Sequence, residues 1–389
     1  MLLDNFLMGN IRSYLVSITF IFLFIAPFTI SIFLSESNTK LYYLLLVFCY
    51  GLYAILNIKG LISKIYVKPL LLSVVFLFFG VVNVIVKGEL DNFFFVAPII
   101  TYFAYYYVNN NRIKSKVMDF YIIFLYIYYG IVYYATLPSL LIHPELEDFF
   151  GKASSNAIPL TLNISLYAYM ILNKYYNEKN NRKIVFFASL NLVLILIQQS
   201  RAGIVIAVVI LLIASYEYSK KLALKMLIII SVLSFFFITY YYHQILEYID
   251  IVGTVDTNSI KDDIRGEAQS AFFQKMSFQE ALFGYKDGDF AGMTYTYNNF
   301  LDIWNKYGII PLIIVSLLFV YRFIFYKLFK YPLYYFVPFF VYSLVESRFF
   351  PNFWDIIIYL MLFALARTQT STVLNKKSQS QNDKVISTI

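Results

Sequence analysis

Cysteine, histidine and charge are all scarce in this chain. The single cysteine, Cys49, lies within an apolar run; that excludes an intramolecular disulfide and a thiolate-held metal, and leaves redox chemistry without support. Charged residues are 14% of the chain, against roughly 25% in a soluble domain, so lipid is the solvent that most of it is built for. No phosphate-binding glycine loop, zincin helix or nucleophile elbow is present, and nothing supports ATP hydrolysis.

What abounds is apolar sequence, at 60% hydrophobic residues and a mean hydropathy of +0.68. The apolar runs, about 16–22 residues each, match the roughly 20 residues that a helix needs to cross a hydrocarbon core about 30 Å thick. Barrel strands would be about ten residues long with polar alternation, so an all-α integral membrane protein is predicted. About twelve spans follow, near 14–34, 41–58, 68–86, 92–108, 117–137, 157–173, 183–199, 201–216, 222–242, 303–321, 331–346 and 352–366. The first has no small-residue cleavage site behind it and exceeds a signal-peptide core, so it counts as a span. Residues 183–216 read as two spans, because one helix of 34 residues would rise about 50 Å, well beyond a bilayer core.

A net charge of +8 would point to nucleic acid in a soluble protein, but here the basic residues sit in short loops between spans. Of the 31 lysines and arginines, 21 fall on one side of the alternating loops, among them Arg112, Lys174, Lys183, Arg322 and Lys330. The positive-inside rule makes that side cytoplasmic, together with both termini. The chain then divides into a membrane domain over 1–242, a large outer loop over 243–302, a second membrane part over 303–366, and a tail over 367–389. The tail, rich in Ser, Gln, Asn and Lys without apolar periodicity, reads as disordered. Within the large loop, residues 262–283 read as an amphipathic helix with Ala268, Ala271, Phe272, Met276 and Phe283 on one face, suited to the outer membrane surface. A second, shorter outer segment covers 138–156.

Three arginines fall on the outer side, Arg201, Arg265 and Arg348, each at or next to a span end and against the positive-inside bias. An arginine near bilayer depth costs roughly 2.5–3.5 kcal/mol on insertion scales, which a bound anion would offset. The alternative is snorkelling to lipid phosphates, or pairing of Arg348 with Glu346 and of Arg265 with Asp262 or Asp263. His143 and His243 lie in the outer segments and carry the side chain best matched to base work near neutral pH; ordinary interfacial placement is the other reading. The outer acids Glu145, Glu147, Asp148, Asp256 and Asp302 are similar candidates, or solvated loop charges. Lys286-Asp287-Gly288-Asp289 holds an Asp-x-Asp pattern, but nucleotide sugars are cytoplasmic and Asp-Gly is a plain turn signal, so no metal site is predicted.

Three segments carry a family resemblance: Gln199-Ser200-Arg201-Ala202-Gly203, then Arg265 followed by Phe283-Gly284-Tyr285, then Tyr297-Asn298-Asn299-Phe300-Leu301 running to Gly308. In order, side and spacing they resemble the motifs of the Wzy-type O-antigen and capsular polysaccharide polymerases and the related O-antigen ligases. The resemblance implies a glycosyltransferase of the bacterial cytoplasmic (inner) membrane, active on the periplasmic or extracellular face. Donor and acceptor would both be oligosaccharides linked to undecaprenyl diphosphate, with a chain-length regulator and a flippase as protein partners and neither cofactor nor metal. With no metal, the leaving diphosphate must meet fixed cations, and guanidinium forks suit phosphate oxygens, so Arg201 and Arg265 are the implied catalytic pair. Arg348, Asn298 and Asn299 are implied substrate contacts, the asparagines being equally good helix caps. Tyr297 stands where the family carries histidine, which lowers the ligase reading. A tyrosine of ordinary pKa near 10 is a poor base at neutral pH, so Tyr297 is either a shifted catalytic group or a packing and hydrogen-bonding one. The competing readings are a ligase that moves glycan to lipid A core, and a transporter or flippase of the same lipid-linked unit. A transporter would favour paired ionisable residues deep in spans and an internal repeat, and neither is clear in the sequence.

Overall fold

The structure is a computed structural model that describes residues 11, 13–25, 45, 48–49, 51, 55, 65–87, 96–136, 157–197, 201–233, 235–236, 264–274, 276–284, 298–345 and 353–366. Among these residues the fold is all-α, and the β pairing present is one isolated antiparallel bridge between Phe329 and Leu365. The helices are α1 (Ser13–Ile25), α2 (Val67–Lys87), α3 (Ala97–Asn110), α4 (Ser115–Thr136), α5 (Ala157–Tyr175), α6 (Asn181–Ile197) and α7 (Arg201–Tyr218). They continue with α8 (220–233), α9 (Ile264–Gln274), α10 (Phe278–Phe283), α11 (Asn299–Tyr307), α12 (Ile309–Ile324), α13 (Val337–Val345) and α14 (Phe353–Phe363).

Proline marks where several of these helices begin. Pro69, Pro98, Pro159, Pro311 and Pro338 all sit in the first turn of α2, α3, α5, α12 and α13, where the missing N–H leaves no hydrogen bond unmade. Within α2, Val67–Val86 is long and apolar enough to cross a bilayer, its 20 residues rising about 30 Å and an 18-residue stretch of them averaging a hydropathy of 2.6. Ser13–Ile25, Ala202–Tyr218, Ile309–Ile324 and Leu333–Leu344 are shorter apolar helices.

Two helices form the centre. Every described side chain over 158–173 of α5 and over 355–362 of α14 is buried, polar Thr161, Asn163, Ser165, Asn173 and Asp355 included. Helices α4, α6, α7 and α14 surround α5, while α2, α3 and α12 lie against α14. The peripheral helices turn their apolar stripes outward. On α2, Val67, Leu71, Val74, Phe78, Val81 and Ile85 are exposed at helical spacing, whereas Ser73 and Asn83 face inward and are fully buried.

Two elements differ from the sequence expectation. The run 303–321, read as one span, breaks at Gly308, whose φ of 82° ends α11 and starts α12. The amphipathic run 262–283 is divided into α9 and α10 by Ser277. Its hydroxyl accepts from the Glu280 N–H while the Glu280 carboxylate accepts from the Ser277 N–H, a capping box that starts a new helix. Residues 183–216, read as two spans, contain the separate helices α6 and α7, which pack against each other.

Candidate functional site

The basic loops gather at one end of the bundle. There Arg112 pairs with Glu178 at 3.5 Å, Lys174 with Glu217 at 2.8 Å and Lys183 with Asp119 at 3.0 Å, while the Lys330 ammonium donates to the Tyr175 carbonyl. Chain direction puts the start of α7 at the opposite end, and the motif segments meet there.

The first motif opens α7, with Arg201 as its first residue and Gly203 two positions on. Glycine leaves the α7 backbone open to a neighbour, and the Asn163 carboxamide of α5 donates to the Gly203 carbonyl at 3.0 Å. The same carboxamide donates to the Tyr342 hydroxyl of α13 at 3.0 Å and accepts from the Asn191 carboxamide of α6 at 2.8 Å. One residue further along α13, the Ser343 hydroxyl accepts from the Asn299 carboxamide at 3.1 Å, and Asn299 opens α11. Adjacent side chains of α13 thus join the first motif to the third through a buried seam of neutral polar groups. Such groups are expensive in an apolar interior unless partnered, and each of these side chains has a partner, although the Asn191 Oδ1 takes none among the described residues.

The second and third motifs meet through their glycines. Gly284 has φ 88° and Gly308 φ 82°, both in the left-handed region that favours glycine. A Cβ on Gly284 would overlap the Asn305 carbonyl, and one on Gly308 would overlap the Leu282 carbonyl. The two turns therefore interlock backbone against backbone. Trp304 adds a side-chain tie, its indole N–H donating to the Ala281 carbonyl at 2.8 Å and its ring meeting Phe272 edge-on at 5.6 Å. The apolar face read on residues 262–283 rests in part on α11, with Phe272 buried among Ala271, Met276, Leu301 and Trp304.

Two buried acids lie beside these turns. Asp302 pairs with Lys306 at 2.8 Å along α11. Asp355 is fully buried in the first turn of α14, where the helix dipole favours a carboxylate. Both are within electrostatic reach of Tyr307, itself fully buried and edge-on to Phe76 at 4.9 Å. The Tyr359 hydroxyl, one turn along α14, shares a hydrogen bond of 2.8 Å with Ser73 of α2. Among the described residues no three His, Cys, Asp or Glu side chains are grouped to hold a metal.

Of the residues singled out by sequence, Asn298 caps α11, its side-chain oxygen accepting from the Phe300 and Leu301 N–H groups at 2.9 and 3.3 Å. Asn299 is fully buried on Ser343. Arg201 and Arg265 are placed by backbone as the first residue of α7 and the second of α9, their side chains lying outside the described set. Tyr297, Arg348, Glu346, His143, His243, Glu145, Glu147, Asp148, Asp256, Asp262, Asp263 and the segment Lys286-Asp287-Gly288-Asp289 also lie outside the described residues, as do Ala268's side chain, residues 138–156 and 367–389 and most of span 41–58. Sequence reading missed Asn83, Asn163, Asn191, Ser343 and Asp355, whose signal is a lone polar residue inside an apolar run. Comparison of the chain with protein-family models, with curated proteins and with solved structures gave no match.

Proposed function

We propose that this chain is a multi-pass protein of about twelve spans in a bacterial cytoplasmic (inner) membrane, with both termini cytoplasmic. There it polymerises oligosaccharide repeat units carried on undecaprenyl diphosphate, at the periplasmic or extracellular face. The observation that carries this reading is the meeting of three motif segments distant in sequence: Gly203 with Asn299 through α5 and α13, and the Gly284 turn with the Gly308 turn, Gly284 against Asn305 and Gly308 against Leu282. That meeting lies at the end opposite the basic loops, the end that the positive-inside rule assigns to the outer face. The outward apolar stripe of α2, with Ser73 and Asn83 turned inward, supports a lipid surrounding.

In the proposed reaction an acceptor hydroxyl gives up its proton to solvent water as its oxygen bonds to the anomeric carbon of the donor. The bond from that carbon to the diphosphate breaks, and the lipid diphosphate leaves with the electron pair. Arg201, at the mouth of α7, and Arg265, near the start of α9, are the cations assigned to that leaving charge. Arg348 is assigned to substrate by the resemblance alone, and Asn298 and Asn299 shape the start of α11. A chain-length regulator and a flippase are the proposed partners.

The test is a deletion strain. Loss of every surface glycan longer than one repeat unit, with single units still attached to the lipid acceptor, is the expected outcome. Complete loss of capped acceptor, with polymer accumulating on undecaprenyl diphosphate, would replace this reading by a ligase.

A further inference from the structure

The loop helices α9 and α10 are tied to α11 by Trp304, and α10 and α11 are tied to each other by the interlocked turns at Gly284 and Gly308. This assembly still has to be held at a defined height against the long helices. Asn83, about one turn before the end of α2, makes that attachment. Its Nδ2 donates to the Phe283 carbonyl and, at 3.4 Å, to the Asn305 carbonyl. A single carboxamide thus grips the residue before the Gly284 turn and a residue of the turn that ends at Gly308.

The choice of residue is informative. Asn83 is fully buried, and its Oδ1 has no hydrogen-bond partner among the described residues; the same holds for Asn305 Oδ1. An apolar side chain of similar size would fill the space without leaving a buried acceptor unpaired, so packing does not account for an amide here. The two donated bonds do. Close approach is also built in, because a Cβ on Gly284 would collide with the Asn83 carboxamide as well as with the Asn305 carbonyl.

We propose that Asn83 is a positioning residue, whose carboxamide locks the Phe283-Gly284 turn and the α11 end onto α2 and so sets where the loop presents Arg265. The assignment of Arg265 to the diphosphate rests on the polymerase reading; the latch itself rests on the hydrogen bonds of Asn83. Three substitutions separate the latch from packing. Asn83→Asp keeps the shape but turns an acceptor toward two carbonyl oxygens, Asn83→Leu keeps the volume without a donor, and Asn83→Ala removes both.

Hydrogen exchange over residues 277–308 and steady-state extension of lipid-linked repeat units extracted from the deletion strain are measured on the full-length protein in nanodiscs. The latch predicts faster exchange at the Gly284 and Gly308 amides in all three variants, with Asp worst. It also predicts a kcat lowered by roughly 10²-fold at little change in KM, the scale of a misplacement of about 1 Å at a reacting centre. Wild-type behaviour of the Leu and Asp variants, with a defect in Ala alone, would overturn the latch in favour of packing. Faster exchange with unchanged turnover would overturn the positioning role. Absence of turnover in the wild type would instead overturn the polymerase reading, and the exchange pattern would still decide the latch.

Discussion

At the basic end of the bundle, helix ends are joined by ion pairs and by phenols that donate to backbone carbonyls; at the other end the joints are carboxamides and two left-handed glycines. Tyr176 shows the first style, its hydroxyl donating to the Val108 and Asn111 carbonyls at 2.9 and 2.8 Å, with burial raising its pKa so that it stays a neutral donor. Glu217 accepts from Lys174 and from the Tyr334 hydroxyl, while its own carbonyl accepts from Asn181. Several partners share each joint, and loss of one leaves others. Asn163 and Asn83 show the second style, in which one buried amide spans two or three helices and each bond has one geometry. The contrast separates an end held by several shared partners from an end held by single, defined bonds, and the catalysis by fixed charges that we propose needs such placement.

The hardest test of that contrast is at the arginines. Arg201→Ala or Arg265→Ala should reduce chain extension by on the order of 10²–10³-fold, the usual loss for one preorganised donor, while the protein inserts at normal levels. Lysine at either position should restore part of the activity, because a point charge lacks the bidentate fork. Glycan chain length on gels reads both outcomes, and full activity in an alanine variant would remove that arginine from the site.

Next in size are the interlocked glycines. Gly284→Ala or Gly308→Ala would hold a non-glycine residue at φ 88° or 82°, a strain of about 1–3 kcal/mol before the overlap with a facing carbonyl is relieved. Faster hydrogen exchange over 277–308 and shortened glycan are expected, with the ion pairs of the basic end unaffected. A wild-type exchange pattern would mean that the two turns do not bear on each other.

Which of these features showed in the sequence follows from how each residue type signals. Gly284 and Gly308 were picked out through the family resemblance, but their close approach in space was not read from the sequence. Asn163, Asn191 and Asp355 were not picked out, since one polar residue in an apolar run barely lowers its mean hydropathy and nothing in a single sequence says that it faces inward. The break at Gly308 was hidden because the run 303–321 was judged on its overall apolarity, which a short polar stretch at Asn305-Lys306 barely lowers, and the capping box at Ser277 by a run that keeps helical periodicity through the junction. Arg322 misled in the opposite sense. Read as a loop charge marking the cytoplasmic side, it is fully buried, donating to the Tyr331 and Met361 carbonyls with its guanidinium 4.3 Å from the Phe329 ring.

Arg322 therefore gives the third test. Arg322→Met keeps much of the volume but leaves the Tyr331 and Met361 carbonyls without this donor, a cost of about 1–3 kcal/mol. The melting temperature in detergent should fall while kcat per folded molecule stays at the wild-type value, because the loss lies at the end away from the motif segments. A drop in kcat with unchanged melting would tie the two ends together and undo the division between them.

The smallest effect belongs to Arg112. Its pair with Glu178 is 3.5 Å long, and its side chain is 65% exposed, so solvent and salt screen most of the attraction. Glu178 also accepts from the Asn180 carboxamide at 2.9 Å and keeps a partner when Arg112 is removed. Arg112→Ala should cost between zero and about 1 kcal/mol of stability, a difference that shrinks further at high salt. Orientation should hold as well, because Lys114 and Lys116 remain in the same loop and a reporter fused after Lys116 should still read cytoplasmic. If Arg112→Ala instead destabilised the protein as strongly as Arg322→Met, or moved that reporter outside, the charges of the basic end would be individually required. Redundancy would then be the wrong account of what holds that end together.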